Sequence, residues 1–237
     1  MKSKIYFKGV KDGVPIALAY LAVSFTLGIA ARKAGLSAFS ATLMSFTNNT
    51  SAGEFAALSL IGAGSSYAEM ALTQLVINAR YMLMSCSLSQ KIPAETPIWK
   101  RLFLGYCITD EVFGVSYAYP GKLESVYTYG AMLLPMIGWS TGTLLGVVLG
   151  NVLPSRILSA LSVALFGMFI GIIVPPAKKN KVIAGSILVS MALSWAFTVT
   201  PGLKNISSGF TIIIITIAVS GAAALMFPVG EEDSDET

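Results

Sequence analysis

The 237-residue sequence contains no histidine. That removes zinc–histidine sites, serine–histidine and cysteine–histidine nucleophile pairs, and histidine proton relays. Cysteine is scarce too. Cys86 and Cys107 form no C-x-x-C and lie in apolar runs, so neither a disulfide framework nor a thiol redox site is supported. Charge is the third shortage. Only 12% of residues are charged, where a soluble domain carries about 25%. Hydrophobic residues make up 54% of the chain, and its mean hydropathy is +0.73. A chain so poor in charge does not cover a water-facing surface in the usual way. The composition predicts an integral membrane protein and argues against most enzymes.

What is present is a succession of apolar segments, near 14–31, 36–63, 68–90, 101–118, 127–150, 155–174, 181–200 and 208–228. A spanning helix needs about 20 mostly apolar residues. The expectation is an all-α membrane protein of seven or eight transmembrane helices, forming a single membrane-embedded domain over 1–237. A basic N-terminus (1–12) and an acidic tail (230–237) flank it. The first segment follows Lys2, Lys4, Lys8 and Lys11. It is too long for the apolar part of a typical signal peptide and is read as a retained first helix. The four lysines favour a cytoplasmic N-terminus in the cell membrane. Arg32/Lys33, Lys91/Lys100/Arg101 and Lys178/Lys179/Lys181 do not all fall on one side when every segment crosses. Either one segment fails to cross, or the charge bias is weak.

Two internal patterns stand out. Residues 36–43 (Leu-Ser-Ala-Phe-Ser-Ala-Thr-Leu) echo residues 158–165 (Leu-Ser-Ala-Leu-Ser-Val-Ala-Leu), each after an apolar segment bearing a proline, Pro15 or Pro135. Two repeats of this kind are common in secondary transporters. Gly138, Gly142, Gly146 and Gly150 recur every four residues, and Gly167 and Gly171 continue the spacing. Such glycines share a helix face and let another helix approach closely. That neighbour is either a helix of this chain or a partner subunit, which makes the first four a candidate partner interface.

In hydrocarbon an unpaired polar group is costly, so polar residues at membrane depth carry the functional information. Thr47-Asn48-Asn49-Thr50-Ser51-Ala52-Gly53-Glu54 separates two apolar stretches too short to span alone. These residue types compete with helical backbone bonding. The second segment is therefore predicted to be a broken helix or a re-entrant hairpin. The exposed helix ends of such a break suit a zwitterion. Thr47, Asn48, Asn49, Ser51, Gly53 and Glu54 are candidate substrate-binding residues. Gln74, Asn78 and Tyr81 form one stripe on the segment 68–90 and would line the path. Arg80 lies half-way along that segment and needs a carboxylate from another helix. Asp110 and Glu111 lie roughly 15 Å beyond Lys100/Arg101 at the helical rise. One of them is expected to pair with Arg80, leaving the other to take up a proton. Tyr106, one helical turn earlier, is placed to hydrogen-bond Asp110. Glu69 is the remaining acidic candidate, nearer a boundary. No metal or cofactor site is indicated.

The run Ser51-Ala-Gly-Glu-Phe-Ala-Ala-Leu58, then Asn78-Ala-Arg-Tyr-Met-Leu83, then Thr109-Asp110-Glu111 resembles the AzlC family of branched-chain amino acid permeases. The likeness is strongest over residues 10–120. The resemblance implies a two-component exporter of valine, leucine and isoleucine, driven by proton exchange and working with a small AzlD-type membrane partner. Asp110 or Glu111 would then carry the proton, with Arg80 as electrostatic partner. The composition leaves two rivals open. One is export of another small amphiphile such as methionine. The other is a non-transporting membrane assembly subunit. Partners in all cases are a small molecule and the lipid bilayer, not nucleic acid.

Overall fold

A computed structural model describes residues 2–150, 170, 173, 174 and 176–228. The second copy of the Leu-Ser-Ala repeat, Gly167, Gly171, most of the segment 155–174 and the acidic tail lie outside the described residues. Among the described residues all regular structure is helical. The helices are α1 (Lys2–Lys33), α2 (Ala38–Asn48), α3 (Ser51–Gly62), α4 (Tyr67–Lys91), α5 (Ile98–Tyr106), α6 (Asp110–Tyr117), α7 (Ser125–Leu149), α8 (Lys181–Val199) and α9 (Ser208–Met226). Of these, α1, α7, α8 and α9 are long and apolar enough to cross a membrane. α4 is as long as α7, but it carries Glu69, Gln74, Asn78, Arg80 and Lys91. The chain divides into two compact units, residues 1–63 with 77–165, and residues 64–76 with 166–237.

The first unit is built on α1 and α7, which run parallel. A Cβ added to Gly9 would collide with the Tyr127 carbonyl, and one on Gly13 with that of Ala131. Further along, Gly138 meets Ala17 and Gly146 meets Phe25, again backbone against backbone, and Gly142 meets the Ser24 hydroxyl and the Leu21 carbonyl. The pairing climbs steadily in both helices, so both point the same way. Apolar side chains gain little from meeting each other in lipid, and close approach through small residues replaces that driving force. Here the glycine ladder finds its explanation. Gly138, Gly142 and Gly146 seat α1, and Gly150 abuts the Ile29 side chain. The partner-interface reading of these four glycines is corrected: their face is already taken by α1.

Two of the apolar segments fold back on themselves. The first, 36–63, is α2 and α3. α2 starts from Ser37, whose side chain caps the Ser40 N–H. It ends at Asn49 in the left-handed conformation, φ 51°, which Asn tolerates better than most residues. α3 then returns, and Gly62 comes back beside Ala34 just past the end of α1. This is a re-entrant hairpin with both ends at one face.

The second segment, 101–118, is a finding the sequence reading did not anticipate. α5 stops at Tyr106 and α6 begins at Asp110. Thr109 is the N-cap, its side chain accepting the Val112 N–H. Both ends of this hairpin lie where α1 and α7 start. The Tyr129 hydroxyl donates to Lys100 O at 2.9 Å, and Ser116 and Thr128 hydroxyls meet at 3.0 Å. The end of α4 is there too, since Leu123 N–H donates to Lys91 O at 2.8 Å. The two hairpins thus enter from opposite ends of α1 and α7 and meet tip to tip.

In the second unit α8 is capped by Asn180, whose side-chain oxygen accepts from Val182 and Ile183 N–H. α9 is capped by Ser207, which accepts from Phe210 N–H and donates to the Glu69 carboxylate. Glu69 is thereby fixed by a helix cap. Large apolar side chains such as Leu188, Met191, Ile217 and Leu225 are exposed on these helices, as fits a lipid-facing surface.

Candidate functional site

The tips of the two hairpins meet between α1, α4 and α7. A cleft there is lined by Tyr20, Asn49, Ser51, Tyr81, Thr109, Asp110, Glu111 and Trp139, and no water-sized space remains in it. Six of the eight were singled out from sequence or belong to its motifs: Asn49, Ser51, Tyr81, Thr109, Asp110 and Glu111. The tips are joined directly. Asn49 Nδ2 donates to the Tyr106 hydroxyl at 3.1 Å, and that hydroxyl donates to Phe46 O. Tyr106 is accordingly not the partner of Asp110. The helix break at 107–109 destroys the one-turn spacing on which that expectation rested.

Arg80 does find its carboxylate. Its Nη1 lies 2.7 Å from Asp110 Oδ2. The guanidinium stacks 5.0 Å from the Tyr81 ring centroid and reaches the Tyr81 hydroxyl at 3.4 Å. Glu111, on the neighbouring position, takes a different partner, the Tyr20 hydroxyl. Tyr20 also lies 2.7 Å from Thr109 Oγ1. The two adjacent acids thus point to different partners, one cationic and one neutral.

Glu54 lies in the first turn of α3 and is fully buried. Its Oε2 accepts from Ser45 Oγ at 3.1 Å and from Trp139 Nε1 at 3.0 Å. Ser45 also meets the Thr143 hydroxyl at 2.8 Å. The Trp139 ring then packs edge-on against Tyr20, centroids 5.2 Å apart. A continuous polar and aromatic line therefore runs from Glu54 through Trp139 and Tyr20 to Glu111.

The remaining candidates sit differently. Thr47 is exposed and its hydroxyl donates back to Leu43 O at 2.8 Å, the usual satisfaction of a helical threonine, so it stands outside the cleft. Asn48 Oδ1 accepts from Thr50 Oγ1 at 2.9 Å and ties the first tip together. Gly53 is buried in the first turn of α3, its N–H donating to Thr50 O at 2.6 Å. Asn78 is half-buried on the same helix as Arg80 and Tyr81. Gln74 belongs to the stretch of α4 assigned to the second unit.

Sequence reasoning missed Tyr20, Trp139, Ser45 and Thr143. Tyr20 and Trp139 carried a usable signal. An aromatic with a polar handle normally sits at the membrane boundary, and one at mid-segment needs a buried partner. Replacing Thr109 with Ala should cost about 1 kcal/mol by loss of the N-cap, whereas Thr109→Ser keeps the cap. Thermal melting of the two purified variants checks this, and equal midpoints would contradict the capping role.

The family model of the AzlC protein matches residues 15–153, more than half of the chain. The chain belongs to the AzlC family. The match covers both hairpins, all of α7 and α1 from residue 15 onward. An "Uncharacterized membrane protein" of Archaeoglobus fulgidus is 30% identical over 183 residues, covering 76% of this chain and 80% of that one. The "Inner membrane protein YgaZ" of Escherichia coli is 28% identical over 153 residues, covering 63% of this AzlC protein and 62% of YgaZ. An "Uncharacterized membrane protein" of Helicobacter pylori is 27% identical over 153 residues, with 62% and 66% covered. No solved structure matches. The chain is an all-α membrane protein of this family.

Proposed function

We propose that this protein is a secondary transporter that exports branched-chain amino acids by proton exchange, together with a small AzlD-type partner. The observation that carries the reading is the meeting of two opposed re-entrant hairpins around the Arg80–Asp110 pair. Broken helices of this kind present N–H groups at one end and C=O groups at the other. The start of α3 at Ser51 faces the cleft, and its helix dipole favours a substrate carboxylate. Ser51 and Tyr81 line the same cleft and offer hydroxyl oxygens to the ammonium group. The rings of Tyr20, Tyr81 and Trp139, which line the cleft, would hold the side chain. One methylene more or less is worth only about 1–3 kcal/mol, so valine, leucine and isoleucine should all be accepted. The family resemblance supplies the substrate class, the direction and the partner.

The hairpins also support a cytoplasmic N-terminus in the cell membrane. With both segments folded back, Lys2, Lys4, Lys8, Lys11, Lys91, Lys100, Arg101 and Lys122 cluster at the end where α1 and α7 begin. Arg101 Nη2 there donates to Pro93 O, and Lys122 Nζ to Gln90 O. Arg32 and Lys33 stand at the opposite end, where Arg32 Nη1 donates to Val147 O. Such an excess of positive charge favours the cytoplasmic side.

The test is counterflow in proteoliposomes, with and without a co-expressed partner subunit. Preloaded leucine should drive uptake of labelled valine, leucine and isoleucine. If none of the three exchanges with the partner present, the reading fails. If methionine alone exchanges, the amphiphile-exporter alternative takes its place.

A further inference from the structure

One carboxylate of the first hairpin stands apart from the others. Glu54 is fully buried, yet no ion pair is made to it among the described residues. Its Oε2 is satisfied by Ser45 and Trp139, the Asn49 backbone N–H also faces the carboxylate, and its Oε1 has no hydrogen-bond partner. Five residues earlier, at the same tip, Asn49 is also buried. Its amide nitrogen is used by Phe46 O and Tyr106, and its Oδ1 is left without a partner. Two buried acceptor oxygens without donors therefore belong to one hairpin tip, close to the carbonyl-rich end of α2. Buried acceptors without donors call for a cation or a proton.

We propose that Glu54 and Asn49 form the seat of the small monovalent cation, proton or alkali metal ion, whose binding is coupled to transport. The Arg80–Asp110 pair is not that seat. Arg80 already supplies the charge that Asp110 needs, and Glu111 is held by Tyr20. The groups facing Glu54 are all formally neutral: Ser45 and Asn49 from the first hairpin, Trp139 and Thr143 from α7. Behind them lie Tyr20 of α1, packed on Trp139, and Tyr106 of the second hairpin, bonded to Asn49. The assignment to coupling rests on the transport reading, but cation binding itself is measurable without substrate.

Trp139 donates to Glu54 and so reports on it. Trp99 and Trp195 are exposed, and replacing both with Phe leaves Trp139 as the sole tryptophan. The full chain in nanodiscs is titrated with Na⁺ against choline at constant ionic strength and pH, and separately with acid. A saturable change in Trp139 emission is expected. A Na⁺ response at constant pH marks an alkali cation, and a response to acid alone marks a proton. Either response should vanish in Glu54→Gln and weaken about tenfold in Asn49→Ala, one step of 1.4 kcal/mol. Glu54→Asp should keep it with a displaced midpoint, which separates loss of the carboxylate from loss of the fold. Glu69→Gln, in the other unit, should leave it unchanged. The proposal is overturned if the parent shows no response, if Glu54→Gln retains it, or if Asp110→Asn alone removes it. Failure of amino acid counterflow would sink the transport reading while leaving this titration fully readable.

Discussion

Arg80→Met is expected to abolish amino acid exchange and to lower thermal stability together. The variant leaves Asp110 without its cation, at a position where the carboxylate side chain is 23% exposed. Breaking a fully buried pair costs about 3–5 kcal/mol. Arg80 is 33% exposed, so water screens part of the charge and about 2 kcal/mol is the fitting figure. For a chain of this size that corresponds to a fall of roughly 4–8 °C in the melting midpoint. The double variant Arg80→Met/Asp110→Leu removes both charges and should regain most of the stability, since the penalty lies in the orphaned partner. It should not regain exchange. Restored exchange in the double variant would make the pair a structural bolt with no part in substrate handling. Full stability in Arg80→Met would show that Asp110 is solvated by other means.

The second large effect is structural. Gly146→Val should fail to assemble, because a Cβ at that position collides with the Phe25 carbonyl and lies 2.9 Å from Gly28 Cα. Neither obstacle is a flexible side chain that could swing aside. Overpacking typically costs about 1–3 kcal/mol, and a clash of two backbones belongs at or above the top of that range. Gly105→Ala and Gly114→Ala offer a contrast within the same fold. Nothing lies within 4 Å of a Cβ at either site, and alanine favours helix over glycine by about 1 kcal/mol. Size-exclusion profiles of detergent-solubilised protein should show a monodisperse peak for the two alanine variants and aggregate for Gly146→Val. A monodisperse Gly146→Val peak with an unchanged melting point would contradict the packing of α1 on α7.

The first break was legible because its chemistry is overt. Asn48, Asn49, Thr50, Ser51 and Gly53 all weaken a helix, and together they leave no continuous span. The second break was concealed by Cys107 and Ile108, which read as ordinary apolar residues and carried hydropathy smoothly across the gap. The signal lay one residue on. Thr109 followed by Asp110 and Glu111 is a helix N-terminus, with a capping hydroxyl and acids in the first turn. By hydropathy alone the same residues read as a charge cluster at depth. Trp139 and Tyr20 were hidden for a related reason: an aromatic ring raises hydropathy, and its single polar atom is silent until a partner is known. The glycine spacing established that some backbone approaches closely, but spacing on one helix says nothing of which helix comes. The unbalanced loop charges were informative after all, since they registered segments that fail to cross.

The contact between α1 and α7 has a mechanical consequence. Side chains that interdigitate can change rotamer and let two helices shift past each other. Apart from Ser24 at Gly142 and Ile29 at Gly150, this seam sets glycines against backbone and has few rotamers to change. At Gly138, Gly142 and Gly146 the α1 helix lies closer than a Cβ would allow, so the two helices have little room to slide. In a transport cycle the pair would therefore act as a stator. Any motion that opens the cleft must fall to the hairpins, whose tips touch through the hydrogen bond between Asn49 and Tyr106 and are fastened to the stator through Trp139 and Tyr20.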